Sequence, residues 1–252
     1  MNAHLLYRAT RKFLRPLKRS LQPKKATASL EEFNTPTLVL IAHPDDEAFC
    51  SGLICELLSR KKAVHLVCFT RGEGGERGGV AVDAQLSKVR ESELRAAAES
   101  LSVTSLTFLD YVDPTCADGQ LLEPEYDHTE FLTELETFVE RHSITHLVTH
   151  GSSGEYWHPA HLCLHRDARL LNRRLPQLQL WTINAWTRSH PLPAVLNQDD
   201  PAHLTLDCAK HHDTRLEALA SHHSQKEVFQ RFAGGTLADF ITLTSTESYR
   251  KW

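Results

Sequence analysis

No apolar run in this chain approaches the roughly 20 residues needed to cross a bilayer, so a membrane-spanning helix is not expected. The first residues also lack the compact apolar core of a secretory signal. There is no internal repeat and no low-complexity tract, which excludes solenoid and fibrous architectures. The six cysteines include no CxxC pair and no dense framework, so a disulfide scaffold is excluded and a reducing, intracellular compartment is expected. A basic surplus is missing as well. The formal net charge of -4 argues against nucleic acid as the main partner, because phosphate binding needs a basic surface.

What remains is ordinary globular material. A chain of 252 residues with 41% hydrophobic content can bury one large α/β core, or at most two small ones. Charge is distributed unevenly. Residues 1–25 hold eight Lys or Arg and no acid, which leaves the rest of the chain acidic. Leu6, Thr10, Phe13, Leu14, Leu17 and Leu21 follow a helical stripe, with Arg8, Arg11, Lys12, Arg15, Lys18 and Arg19 on other faces. Such a segment suits either peripheral contact with an anionic membrane or a solvated basic tail, and Pro16 interrupts the helix in both cases. Residues 1–35 are therefore set apart as a basic amphipathic segment and linker, with the folded domain over 36–252.

From Thr37 the chain alternates. Leu38 to Ala42 is a short continuous apolar run, the pattern of a strand buried on both faces. A helix is expected over 46–60, a strand over 64–70, a helix over 85–101 and a strand over 106–109. A helix near 129–141, a strand over 144–149, a helix from Pro159 and a strand over 181–186 follow. The region after Trp186 reads as irregular, with a further helix over 207–222. This alternation implies a Rossmann-like three-layer α/β/α fold with a mainly parallel sheet. Ligands of such sheets bind beyond the carboxyl ends of strands, at the point where the strand order reverses. With a flavodoxin-like order, the loops after Ala42 and Thr149 would flank that point.

Both loops carry histidine and carboxylate. The first reads Ala42-His43-Pro44-Asp45-Asp46-Glu47, and the second ends in His158-Pro159-Ala160-His161. Each alone has an ordinary explanation, since Pro and acids are common helix-start residues. Brought to one crevice, two histidines and an Asp suit a divalent ion of borderline softness with an open position. A neighbouring carboxylate would then accept the proton of the attacking water, and a second histidine would stabilise the developing oxyanion.

The two motifs together resemble the PIG-L/LmbE family of zinc-dependent N-acetylglucosaminyl deacetylases. Thr70-Arg71-Gly72-Glu73-Gly74-Gly75 resembles its glycine-rich loop. Arg90 to Leu94, Phe108 to Tyr111 with Asp118-Gly119, and Ala218 to Gln225 resemble further stretches of it, so the likeness spans about residues 36–225. The resemblance implies Zn2+ held by His43, Asp46 and His161, Asp45 as general base and His158 as polarising histidine. It implies Arg90, Asp118 and Tyr156 as contacts of the substrate, an N-acetyl amino-sugar conjugate. The cysteine usage points to a cytoplasmic location, peripheral to the membrane if residues 1–25 bind it. By the same resemblance Glu47 is a helix-start or supporting residue, and His222 is a candidate for lining the cleft.

One position departs from the family pattern. Ala160 stands where an Asp usually orients the histidine corresponding to His158, which leaves Glu155 or Asp118 as the acids that could take that part. This departure keeps an alternative open: a catalytically weak or silent module of the same fold that binds zinc and carbohydrate. A metal phosphoesterase would need a second metal and more carboxylate ligands than the motifs offer.

Overall fold

The computed structural model describes residues 28–81, 85–114 and 121–252. The basic segment and Asp118 lie outside the described residues.

The first strand, β1 (Thr37–Ile41), is buried along its whole length. Successive side chains of a strand point to opposite faces, so Leu38 and Leu40 enter one apolar layer while Val39 and Ile41 enter the other. The chain continues through α1 (Ser51–Ser59), β2 (Val64–Thr70), α2 (Leu86–Leu101) and β3 (Ser105–Tyr111). Next come α3 (His128–Arg141), β4 (His146–Thr149), α4 (Pro159–Arg174), β5 (Gln179–Thr182) and β6 (Ala185–Trp186). The last part holds β7 (Asn197–Pro201), β8 (Leu204–Asp207), α5 (His212–Ala220), α6 (Lys226–Ala233), α7 (Leu237–Leu243) and β9 (Thr246–Lys251).

The main sheet has the order β3-β2-β1-β4-β5-β9-β8. Its first five strands are parallel, and β9 and β8 join antiparallel at one end. Leu53 and Leu57 of α1, Leu94 of α2, Leu219 of α5, Phe229 of α6 and Phe240 of α7 cover one face. Phe131 and Leu135 of α3 and Leu164 and Leu171 of α4 cover the other. This is the expected three-layer arrangement. The strand order differs from the flavodoxin-like one expected: it reads 3-2-1-4-5, which puts the reversal between β1 and β4. The loops after these two strands open side by side.

Four local expectations need correction. The helix expected from Asp46 begins as a 3-10 turn, Asp46–Phe49, and becomes α-helical only after Cys50. The Asp46 and Glu47 carboxylates turn back to accept from the His43 and Asp45 amides, which fixes a tight local turn. The α1 amides of Gly52 and Leu53 donate instead to Glu247 of β9, at 2.7 and 2.8 Å. The strand expected over 181–186 is split between two sheets, because Asn184 sits at φ 52° between β5 and β6. Asp207 belongs to β8, and the helix following it starts only at His212. Finally, the core reaches back beyond Pro36. Leu30 and Phe33 are buried in it, with Phe33 stacked on His146, so the folded body begins earlier than expected.

Candidate metal centre and cleft

Both motif loops are backbone-strained. Asp45 sits at φ 118°, and Glu155 and Trp157 in the loop after β4 have φ 57° and 70°. Non-glycine residues in this region cost on the order of 1–3 kcal/mol each, and they persist where surroundings over-determine them. Of these, Asp45 and Glu155 carry carboxylates that contact Arg90 and the histidines of the cluster, and Trp157 directly precedes His158.

His43, Asp46 and His161 meet at the carboxyl ends of β1 and β4. Asp46 Oδ2 lies 3.3 Å from His43 Nδ1, and Asp46 Oδ1 lies 3.3 Å from His161 Nε2. All three are buried. Burial opposes charge on the histidines, yet Asp113 and Asp46 lift His43 to about 9, and Asp46 with Glu155 lifts His161 to about 10. Burial also opposes ionisation of Asp46, but His161 and His150 hold it well below the usual carboxylate range. The cluster therefore draws positive charge into a buried place. His161 Nε2 has no properly aligned hydrogen-bond partner among the described residues. A donor set of two imidazoles and a carboxylate with such an orphaned nitrogen fits a divalent metal.

Two overlapping sets of potential ligands are present, His43 with His158 and His161, and Asp46 with His150 and His161. His150 was not foreseen from the sequence. Its Nε2 accepts the Ala42 amide at 3.1 Å and its Nδ1 lies 2.9 Å from Glu155 Oε2. With both ring nitrogens engaged by the protein, His150 acts as a strut between the two loops. His43, Asp46 and His161 lie together, with His158 beside them at 4.5 Å between ring centroids from His43.

A cleft of about 600 Å³ opens over this cluster. Asp45, His158, Tyr156 and Arg90 line it together with His43. The Asp45 carboxylate is raised to about 6, by burial first and then by Asp46, with Arg90 opposing. Arg90 is itself buried, and its guanidinium donates to Gly72 O, Pro44 O and Asp45 Oδ2 at 3.0, 2.7 and 3.2 Å. The glycine-rich loop wraps around it: a Cβ at Gly72 would come within 2.2 Å of Arg90 Nη1, and its φ is 68°. Tyr156 stands at the mouth, its ring 6.0 Å from that of His158.

Of the two acids expected to serve His158, Glu155 does not reach it, and Asp118 lies outside the described residues. Glu155 engages His150 and His161 instead, and His158 Nδ1 is buried without a hydrogen-bond partner among the described residues. Burial and the neighbouring His43 and His161 push the His158 pKa down, so its imidazole is neutral. Ala160 is fully buried in the apolar layer under α4. Glu47 is also buried: it accepts from the Asp45 amide, and His222 donates to it at 2.5 Å. His222 thus stands behind Glu47 and is absent from the cleft lining. Asp113, another residue missed in the sequence, lies 3.3 Å from His43 Nε2 and lines the cleft. Its position just after β3, at the carboxyl edge of the sheet, was the available signal.

The family profile described as PIG-L, GlcNAc-PI de-N-acetylase, matches residues 38–171. A probable N-acetylglucosaminyl-phosphatidylinositol de-N-acetylase of Schizosaccharomyces pombe is 27% identical over 59% of this chain and 56% of its own length. The chain thus spans only about half of that relative. A 1D-myo-inositol 2-acetamido-2-deoxy-alpha-D-glucopyranoside deacetylase of Mycolicibacterium vanbaalenii is 29% identical over 76% of this chain and 81% of its own. Among solved structures, N,N'-diacetylchitobiose deacetylase from Pyrococcus horikoshii has a TM-score of 0.60 at 16% identity, covering 98% of this chain and 92% of that one. A 4-carboxy-2-hydroxymuconate hydratase from Pseudomonas putida has 0.61 at 19% identity, covering 86% and 95%. The fold is therefore shared with enzymes of different chemistry, and function must be argued from the site.

Proposed function

The chain belongs to the PIG-L family, matched over more than half of its length, and from that premise we propose that it is a zinc-dependent hydrolase removing the acetyl group from an N-acetylglucosamine-type amino sugar in a glycoconjugate. One observation carries this reading: Asp45 and His158 face the same cleft as the His43–Asp46–His161 cluster. The relatives' own substrates, N-acetylglucosaminyl-phosphatidylinositol and an acetamido-glucopyranosyl inositol, support the choice of sugar.

Zinc held by His43, Asp46 and His161 supplies the Lewis acidity for amide hydrolysis at neutral pH. Asp45 takes the proton of the attacking water. Its carboxylate lies beside the cluster, and a pKa near 6 keeps it ionised at neutral pH while leaving it a useful base. The same carboxyl group then returns that proton to the departing amine as the carbon–nitrogen bond breaks, giving acetate and the free amino sugar. The neutral imidazole of His158 donates to the acetyl oxygen as negative charge develops there. Tyr156, at the mouth, contacts the sugar. Asp118 is proposed in the same part. Arg90 contributes wall to the cleft, while its guanidinium holds Asp45 and the glycine-rich loop in place. The described cysteines are free and buried, which supports a reducing, cytoplasmic location.

The test is amine release from a panel of N-acetylglucosamine conjugates with different aglycones, with added zinc and a chelator control. Release that requires zinc supports the deacetylase. Zinc and sugar binding without release from any conjugate would favour the silent binding module instead.

A further inference from the structure

The loop after β4 is built around one carboxylate. Glu155 is buried, at 3% exposure, and its two oxygens receive four hydrogen bonds. Oε2 faces His161 Nδ1 at 2.6 Å and His150 Nδ1 at 2.9 Å. Oε1 accepts the Gly151 amide at 3.1 Å and Asn197 Nδ2 at 2.9 Å. Asn197 comes from β7, outside both motifs, and is fully buried. Its Oδ1 accepts from the Ser153 amide, the Ser153 hydroxyl and the Glu155 amide, at 3.0, 2.8 and 3.2 Å. Its Nδ2 also donates to Ile183 O at 3.0 Å. A Cβ at Gly151 would approach Asn197 Nδ2 to 2.1 Å, so the loop closes on this side chain only because glycine stands there.

An ionised carboxylate accepts and never donates. Both imidazoles that face Glu155 must therefore carry their proton on Nδ1. For His150 this leaves Nε2 to accept the Ala42 amide, which ties the loop after β4 to the start of the loop after β1. For His161 it leaves Nε2, on the side of Asp46, as the nitrogen that gives up its proton to a metal. We propose that Glu155, braced by Asn197, is a positioning residue that fixes both histidines as Nδ1–H tautomers and so aims His161 Nε2 at the metal centre. This rests on the ligand set proposed above.

Glutamine at 155 cannot reproduce the arrangement. Its NH2 must face either the two imidazole N–H groups or the Gly151 and Asn197 N–H groups, a donor–donor conflict in each orientation. Glu155→Gln should weaken zinc affinity roughly 10–100-fold, the usual effect of removing a partner of a metal-ligating histidine. Asn197→Asp should weaken it too, by setting a second carboxylate against Glu155. The double variant E155Q/N197D restores a donor–acceptor pair between the two side chains and should recover part of the affinity.

Zinc affinity of the full chain is measured by chelator competition, with the thermal midpoint followed in parallel. Long-range 1H–15N spectra of the zinc-loaded wild type add a measurement that needs no variant: His150 and His161 should both be protonated on Nδ1. Wild-type affinity in E155Q, or a proton on Nε2 of His161, overturns the inference. Loss of affinity no larger in E155Q than its thermal destabilisation accounts for, with no recovery in the double variant, also overturns it by reducing Glu155 to a fold support. Should His161→Ala retain zinc as well, the ligand set itself is at fault, which separates the two failures.

Discussion

Asp45 holds φ at 118°, outside the range most side chains accept, while its carboxylate stays 3.2 Å from Nη2 of the buried Arg90. Three contacts hold it there. Arg90 also grips Pro44 O on one side of the strained residue, and the Asp45 amide donates to Glu47 Oε2 on the other. Glu47 is in turn pinned by His222. Strain of about 1–3 kcal/mol at this residue is thus offset by interactions that all act on the orientation of one side chain.

The first expectation concerns this clamp. Lysine is a point charge on a flexible stem and cannot reproduce the planar fork that joins Gly72, Pro44 and Asp45. Arg90→Lys should lower kcat by about 10-fold or more with bound zinc unchanged. Zinc content falling in step with kcat would show that Arg90 supports the metal cluster rather than the base.

Adjacent carboxylates should behave differently. Asp45→Asn should keep zinc and lose on the order of 100-fold or more in kcat, the loss typical of a missing general base. Asp46→Asn should lose zinc affinity, because Asp46 touches both His43 and His161. Identical behaviour of the two variants, read by zinc content and single-turnover rate, would contradict the division of roles.

Ala160 invites the substitution that restores the family pattern. The structure predicts that it fails. Ala160 is fully buried in the apolar layer with Leu38, Leu40 and Leu164, so Ala160→Asp places a carboxylate where it meets apolar neighbours. A loss of about 1–3 kcal/mol or more in urea unfolding is expected. Unchanged stability together with a faster enzyme would show that the carboxylate reaches His158 after all.

Acid stability should carry a signature of Glu56. Burial raises its pKa, but Lys210, His211 and Arg60 outweigh this and bring it down to about 2 from the ordinary 4.5. A folded-state pKa below the unfolded value means the contribution is fully present above 4.5 and is lost as pH falls toward about 2. The stability gap between wild type and Glu56→Gln should therefore be constant from neutral pH down to about 5, then close below it. A gap that instead widened on acidification would contradict the assignment.

Much of this was legible in the residues themselves. Strands β1, β2 and β4 are buried on both faces, so they read as apolar runs, and the two histidine motifs follow the ends of β1 and β4. Strands β7 and β9 escaped notice because Asn197-Gln198-Asp199-Asp200 and Thr246-Glu247-Ser248 are polar sequences, of which Asn197, Asp199, Asp200, Glu247 and Ser248 are buried by partners that only the fold supplies. The same holds within the site. His43 and His161 announce themselves by spacing, whereas Glu155 and Asn197 lie 42 residues apart and acquire their meaning on meeting. His150 was hidden by type: at the end of a strand, a histidine engaged by backbone and carboxylate looks the same in sequence as a metal ligand.

The central claim, that hydrolysis depends on a metal held by His43, Asp46 and His161, is tested most directly by titrating zinc back into chelator-stripped protein while following acetate release from an N-acetylglucosamine conjugate. Release should be absent at the start, rise in proportion to added zinc, and level off at about one ion per chain, with no such rise in His161→Ala. Acetate release by the stripped protein equal to that of the loaded one, or a rise undiminished in His161→Ala, would contradict the account.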